Sequence, residues 1–292
     1  MNKIIASIFV FFLASAAFAE VEIGISGSVN WETMRLEAEI SLDLASAGLK
    51  LPAGRIQAEA LLEAEYTNQL RPHLMKLQVD SSSTVGDLVG RGDLSLLQTD
   101  TIMKGSSSVP PAMRPNLLKM SIFHSISLSN TSASLLRHTR PIPIVHTLLP
   151  VSAASYTGII IIAAESLPIH GMRSSTLAVP CLFPKIWDNE MNLIYDRNIL
   201  ETKNSGMVRY ASLQSIFQRN PSGLTDELRQ FAGEKPLRIF ARGVFGINPT
   251  DIIIERSDAL LIISNEENRR LLSQGKVVII LDDSVLKYDF GN

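Results

Sequence analysis

Residues 34–44 read MRLEAEISLDL, and whether they coil or extend decides the fold. Leu, Glu and Ala are strong helix formers, so propensity alone favours a helix. The order of the residues says otherwise. Met34, Leu36, Ala38, Ile40, Leu42 and Leu44 alternate strictly with Arg35, Glu37, Glu39, Ser41 and Asp43. In a strand this period of two puts every apolar side chain on one face, whereas a helix would smear the charges around its axis. The segment predicts a half-buried strand. VEIGISGSVNWET before it alternates in the same way at Val21, Ile23 and Ile25.

Helical signals follow. Pro52 stands where a helix start tolerates it, and AGRIQAEALLEAEYTNQL predicts a helix over 53–70 that Pro72 ends or kinks. DSSSTVGDLV supplies capping residues for a short helix from about Thr84, and a further helical piece is expected over 93–102. Gly, Ser and Pro crowd residues 105–115, GSSSVPPAMRP, which read as a linker. MSIFHSISLSNTSASLLRH reads as two strands about Ser129-Asn130.

The second half is more regular. SYTGIIIIAA is a buried β-branched strand, and CLFPKIWDNEMNLIYD is a hairpin about Asp188-Asn189-Glu190. SLQSIFQRN is a short helix, PLRIFARGVF a strand, and DIIIE another. Helices are expected in DALLIIS, capped by Ser257, and in EENRRLLSQG, ended by Gly275; KVVIIL is the closing strand.

Bulk properties set the compartment. MNKIIASIFVFFLASAAFA has a basic start, an apolar stretch too short to span a bilayer, and small residues at Ala17 and Ala19. It predicts a signal peptide over 1–19, export to the periplasm, and no transmembrane segment after cleavage. Cys181 is the single cysteine, which excludes an intramolecular disulfide and a cysteine-based zinc site; its apolar neighbours predict burial. Net charge is −2, so nucleic acid is not an expected partner. Between Thr101 and Ala164 there is no acid, while Lys104, Arg114, Lys119, Arg137 and Arg140 are present with His124, His138 and His146. That stretch is either a serine-rich surface without acids or, over 104–140, a face for an acidic polymer.

Reaction chemistry is sparse. His170, Cys181 and Asp188 form the best nucleophile neighbourhood, but no G-x-S-x-G elbow accompanies them. Asp282-Asp283 at a strand end is a cation candidate or a solvated turn, and Glu165 with Asp188, or Asp80 with Asp87, are candidate carboxylate pairs. No cofactor is expected. GVFGINPTD, residues 243–251, lacks the lysine of a P-loop and opens onto a strand instead of a helix. Gly243, Gly246, Asn248, Pro249 and Asp251 are therefore turn or interaction candidates, the glycines allowing positive φ and Thr250 or Asp251 accepting local N–H bonds.

Several phrases carry a resemblance: LPAGRIQAE, SYTGIIIIA, PCLFPKIWD with MNLIYD, ARGVFGINPTDIIIERSDALLI and NRRLLSQGKVVIILD. Together the chain resembles the exported proteins related to flagellar assembly protein T and the small outer-membrane lipoproteins sharing its domain, most strongly over 156–282. The resemblance implies a non-catalytic periplasmic α+β domain tied to flagellar or envelope assembly. The expectation is an α+β protein with an antiparallel or mixed sheet and helices on one face. It divides into a strand-helix region over 20–104, a linker over 105–115 and an α+β domain over 116–292. Its expected role is structural, through protein partners in the periplasm or envelope. The alternative is a small periplasmic hydrolase or ligand-binding protein using the His170–Asp188 loop.

Overall fold

The computed structural model describes residues 21–115, 118–138, 140–144, 152–201, 207–218 and 223–291. The expected signal segment, residues 1–19, lies outside them. In chain order the first elements are β1 (Ile23–Asn30), β2 (Arg35–Asp43), α1 (Arg55–Met75), β3 (Gln78–Asp80), β4 (Ser83–Thr84), α2 (Val85–Gly90), α3 (Leu96–Lys104), β5 (Ser107–Met113), β6 (Lys119–Ser127) and α4 (Leu128–Leu135). Then come β7 (Ile159–Ile162), β8 (Leu167–Pro168), β9 (Ser175–Thr176), β10 (Ile186–Asp188), β11 (Leu193–Tyr195) and β12 (Arg209–Ser212). The chain continues through α5 (Asp226–Ala232), β13 (Leu237–Phe240), β14 (Gly243–Phe245), β15 (Asp251–Ile254), α6 (Arg256–Ile263) and α7 (Glu266–Ser273) to β16 (Val277–Leu281), α8 (Asp283–Leu286) and β17 (Lys287–Phe290). The fold is α+β.

Residues 35–43 are extended as β2, the central strand of an antiparallel sheet ordered β17-β1-β2-β6-β5. Leu36, Ala38, Ile40 and Leu42 are buried beneath α1, which sets Ala58 and Leu62 against Ile40, Leu42, Met120 and Ile122. Full burial of each such side chain stabilises by about 1.5–3 kcal/mol, which is why tertiary packing overrides the helix propensity of the segment. The opposite face carries Glu37, Glu39 and the exposed Phe123. Helix α1 runs past Pro72 because Leu70 and Leu74 on either side are fully buried, and that burial offsets the one hydrogen bond proline removes.

Three expectations fail here. The supposed linker is β5, which pairs with β6; Pro110 and Pro111 are tolerated because β5 is an edge strand with a register shift at that point. Residues 119–135 do not belong to the later domain, since β6 lies between β2 and β5, and the C-terminal β17 also returns to this sheet against β1. Residues 128–135 are α4 instead of a second strand. Ser127 caps it, and Leu128, Thr131, Ser132 and Leu135 form a buried stripe at helical spacing. Thr131 and Ser132 return their hydroxyls to carbonyls four residues back, which satisfies these groups within the helix so that the stripe can be buried.

Two further four-stranded sheets follow. One is fully parallel, ordered β12-β16-β7-β13. Ile160, Val278 and Ile280 face α5 and the 3₁₀ turn Leu213–Ile216, while Ile159, Ile161, Val277 and Ile279 join a core with α6 and α7. Helices thus cover one face of the antiparallel sheet and both faces of the parallel one, as parallel sheets require. The other sheet is mixed, ordered β11-β10-β15-β14. PLRIFARGVF is not one strand: it breaks at Ala241-Arg242, giving β13 to the parallel sheet and β14 to the mixed one. Trp31 meets Tyr210 edge to face at 5.8 Å, and Glu32 Oε1 accepts from Ser212 N at 3.0 Å, tying the first sheet to the parallel one.

His124 on β6 is 5 % exposed, stacked on Tyr66 of α1 at 4.2 Å, with Nδ1 bonded to Ser106 Oγ at 3.0 Å and Nε2 buried and, among the described residues, without a hydrogen-bond partner. Burial lowers its pKa, against the opposing charge of Glu63. His73, stacked on Phe290, is lowered in the same direction by burial and by Lys76. The folded state therefore binds fewer protons than the unfolded one as pH falls below the ordinary histidine value of 6.5. Stability is full above that value and declines below it. Urea midpoints measured from pH 8 to pH 5 should fall, and His124→Phe should flatten the slope; an unchanged slope in the variant counts against this role.

Candidate functional site

The loop after β14 makes a junction between distant parts of the chain. Asn248 N donates to Ser81 O at 2.9 Å, and Thr250 N to Asn248 O at 2.8 Å. Asp251, 1 % exposed at the start of β15, accepts from Ser81 Oγ at 3.1 Å and from Trp187 Nε1 at 3.3 Å through Oδ2. Its Oδ1 accepts from Lys185 N at 3.3 Å and from Thr250 Oγ1 at 3.4 Å. Burial raises the Asp251 pKa, and the donors from Trp187, Lys185 and Ser81 oppose that. Thus the aspartate accepts long-range bonds from the β3–β4 turn and from β10, instead of only the local N–H bonds of a turn.

The two glycines act differently. Gly246 has φ +111°, and a Cβ there would run into Ser81. Gly243 has no positive φ; its missing side chain permits the approach of Pro168 O, to which a Cβ would come within 3.0 Å. Beside this loop, Leu182 N donates to Gln78 O at 3.0 Å and Phe183 N to Val79 O at 2.8 Å, so 182–183 run alongside β3. Pro249 O accepts from Val179 N at 3.0 Å.

His170, Cys181 and Asp188 have separate partners. Cys181 is fully buried, its backbone N and O bonded to the Tyr210 hydroxyl at 3.1 and 2.8 Å. Burial pushes its thiol up to about 12, so no thiolate nucleophile forms at neutral pH. Asp188 ends β10: Oδ1 accepts from Glu190 N at 3.0 Å and Asn192 N at 2.8 Å, and Oδ2 faces Arg256 at 3.3 Å. It shapes the hairpin as an Asx-type turn residue. His170 is exposed, its N bonded to Val244 O at 2.9 Å and its ring 5.9 Å from that of Phe245. Among the described residues no hydrogen bond joins any two of the three. A cavity of about 620 Å³ lies elsewhere, lined by Glu32, Ser129, Arg209, Glu227 and Phe231, and none of the three lines it.

The other candidates also have local uses. Asp282 accepts from Ser284 N at 2.9 Å and caps α8; Asp87 forms a capping box with Thr84; Asp80 accepts from Ser82 N at 3.0 Å. Among the described residues no group of three or more His, Cys, Asp or Glu is placed to hold a metal ion. The basic stretch is divided. Arg114 pairs with Glu39, His124 is buried, and Arg137 reaches Asp93 at 3.9 Å. His146 lies outside the described residues. No described helix is long and apolar enough to cross a membrane.

Two family models match the chain, one for each half. Residues 22–135 match the N-terminal domain of Treponema pallidum Tp0624, and residues 158–283 match its second domain. The chain resembles Tp0624 in both halves. No curated protein matches it. The Tp0624 models carry no link to flagellar assembly protein T, so the expected kinship with that protein is not shown. Their bounds also agree with the sheets: the N-terminal Tp0624 match contains β1 through α4, where the sequence suggested a boundary at 105–115.

Ser81, Gln78 and Tyr210 carry the junction, and nothing local in the sequence singles them out. Only the positive φ that Gly246 permits hinted at a special loop. Gly246→Val should strain the backbone by on the order of 1–3 kcal/mol and push away the Ser81 turn. It should lower the melting temperature and raise hydrogen exchange at 78–83 and 182–183 together. Exchange confined to 245–250 would refute the junction. Cys181 in the native chain should resist thiol-specific labelling at pH 8 and react fully in urea; rapid native labelling would overturn its enclosed position.

Proposed function

We propose that this chain is a non-catalytic exported protein that serves in cell-envelope assembly through protein partners. The observation that carries the reading is how the most chemistry-like stretches are spent. The 243–251 loop joins β15 to the Ser81 turn, Cys181 is enclosed under Tyr210, and Asp188 holds a hairpin. Residues used this way suit a rigid two-part module better than a hydrolytic centre, which needs a nucleophile, base and acid in mutual reach. The export signal read from residues 1–19 supports the periplasmic setting, and an accessory role at the flagellum is its narrower form.

The test is isolation of the tagged full chain from envelope extract after crosslinking, alongside a deletion strain. The reading expects the chain in the periplasmic fraction, a reproducible envelope partner retained in His170→Ala, and an envelope or motility defect on deletion. Normal motility and flagellar structure would sink the flagellar form. A cytoplasmic location, or ester or peptide hydrolysis abolished by His170→Ala, would sink the broader one.

A further inference from the structure

Three arginines from separate parts of the chain converge on one small cavity. Arg91 follows α2, Arg137 follows α4, and Arg197 follows β11; with Leu88, Asp93 and His138 they line about 180 Å³. Asp93 Oδ2 takes Arg91 Nε at 3.1 Å, while Oδ1 lies 3.9 Å from Arg137. Arg91 also donates to Ser83 Oγ at 3.0 Å, which fixes its fork. Arg197 is half-buried and stacked over Phe183 at 5.2 Å; among the described residues no carboxylate stands within ion-pair distance of it. His138 Nε2 is bonded to Leu200 O at 2.7 Å, which holds the 135–138 wall against the 197–200 wall.

Three guanidiniums and one carboxylate, that of Asp93, line the cavity, and the balance of its lining charges is positive. The arrangement crosses the two Tp0624-like domains: Arg91 comes from the first, Arg197 from the second, and Arg137 from just beyond the first. Guanidinium forks match the oxygen spacing of phosphate and carboxylate, and they are less strongly hydrated than ammonium groups. Arg197 sits over the Phe183 ring, a cation–π contact that positions its guanidinium without engaging a carboxylate. The volume is below the roughly 300–1,000 Å³ of pockets that take drug-sized ligands, so it selects a compact group.

We propose that the Arg91–Arg137–Arg197 pocket is an anion site for a terminal phosphate group, taken either as free phosphate or as a monoester headgroup. The anion neutralises the surplus charge and bridges the domains, so its binding stabilises the junction region. Of the five Lys and Arg residues in the acid-free segment the site uses only Arg137, and so differs from a continuous polymer-binding face.

Thermal denaturation of the purified full chain in low-chloride buffer tests this with inorganic phosphate as probe. Phosphate should raise the melting temperature saturably. Arg197→Gln and Arg137→Gln should each weaken the response by about tenfold, the scale of one lost charge-assisted fork. Arg137→Gln is the safer variant, because among the described residues its one ion pair is the 3.9 Å approach to Asp93. Arg173→Gln, on an exposed loop outside the pocket, should respond like wild type. Sedimentation with phosphatidylcholine vesicles containing phosphatidic acid forms the second arm, with phosphatidylglycerol at equal charge as control. A saturable response to inorganic phosphate assigns the free anion. Arginine-dependent sedimentation with phosphatidic acid alone, without that response, assigns the monoester headgroup. No response in either arm, equal retention on both lipids without a phosphate response, or responses unchanged in both arginine variants overturns the proposal.

Discussion

The carboxylate of Asp251 holds together elements that the chain places far apart. It is almost wholly buried, and burial of a charge in a low-dielectric setting is costly unless donors surround it. Those donors come from Ser81, Trp187, the Lys185 backbone and Thr250. Each belongs to a segment that must be in place before the aspartate is satisfied. The Ser81 turn therefore cannot shift independently of β15, and β10 cannot shift independently of either. The pairing of 182–183 with β3 follows from the same closure, and Phe183 in turn carries Arg197.

What could be read from sequence was what short-range periodicity encodes. The alternation over 34–44 gave β2 against its helix propensity, the apolar run at Ile159–Ile162 gave a buried strand, and Asp188-Asn189-Glu190 gave the hairpin. Gly275, with φ +66°, ends α7 as glycine does after helices. Pairing order was not legible. Nothing within β16 says that it lies between β12 and β7, because parallel neighbours are set by packing of both faces, not by local signals. Composition misleads at β5 and α4: prolines suggest a linker though an edge strand accommodates them, and serines hide a buried helical stripe.

The site residues divide along the same line. Residue types with chemical potential are visible in sequence, but their partners are not. Cys181 is inert through burial, with its backbone held by Tyr210, 29 positions away, and Asp251 acquired its role from Ser81, 170 positions away. The burial of Cys181 was legible from its apolar neighbours; the hydroxyl that closes over it was not. For the same reason the arginine cluster left no trace in the linear order, since α3, β5, β6 and α4 separate its first two members and β7 through β11 the last two.

A polar junction between two domains fixes orientation more strictly than an apolar one of equal area. Apolar surfaces tolerate sliding, whereas a buried carboxylate misaligned from its donors incurs the desolvation cost of each lost bond, about 1–3 kcal/mol. Ser81 is thereby locked in register with β15, and its neighbour Ser83 bonds Arg91. From the other side of the junction, Phe183 sets Arg197. Two arginines that belong to different domains are thus positioned by one hydrogen-bonded contact. A slip of that contact would separate the guanidiniums and leave no convergent donor set for an anion. The junction and the basic pocket are on this account one mechanical unit, in which the rigidity of the first is the condition for the selectivity of the second.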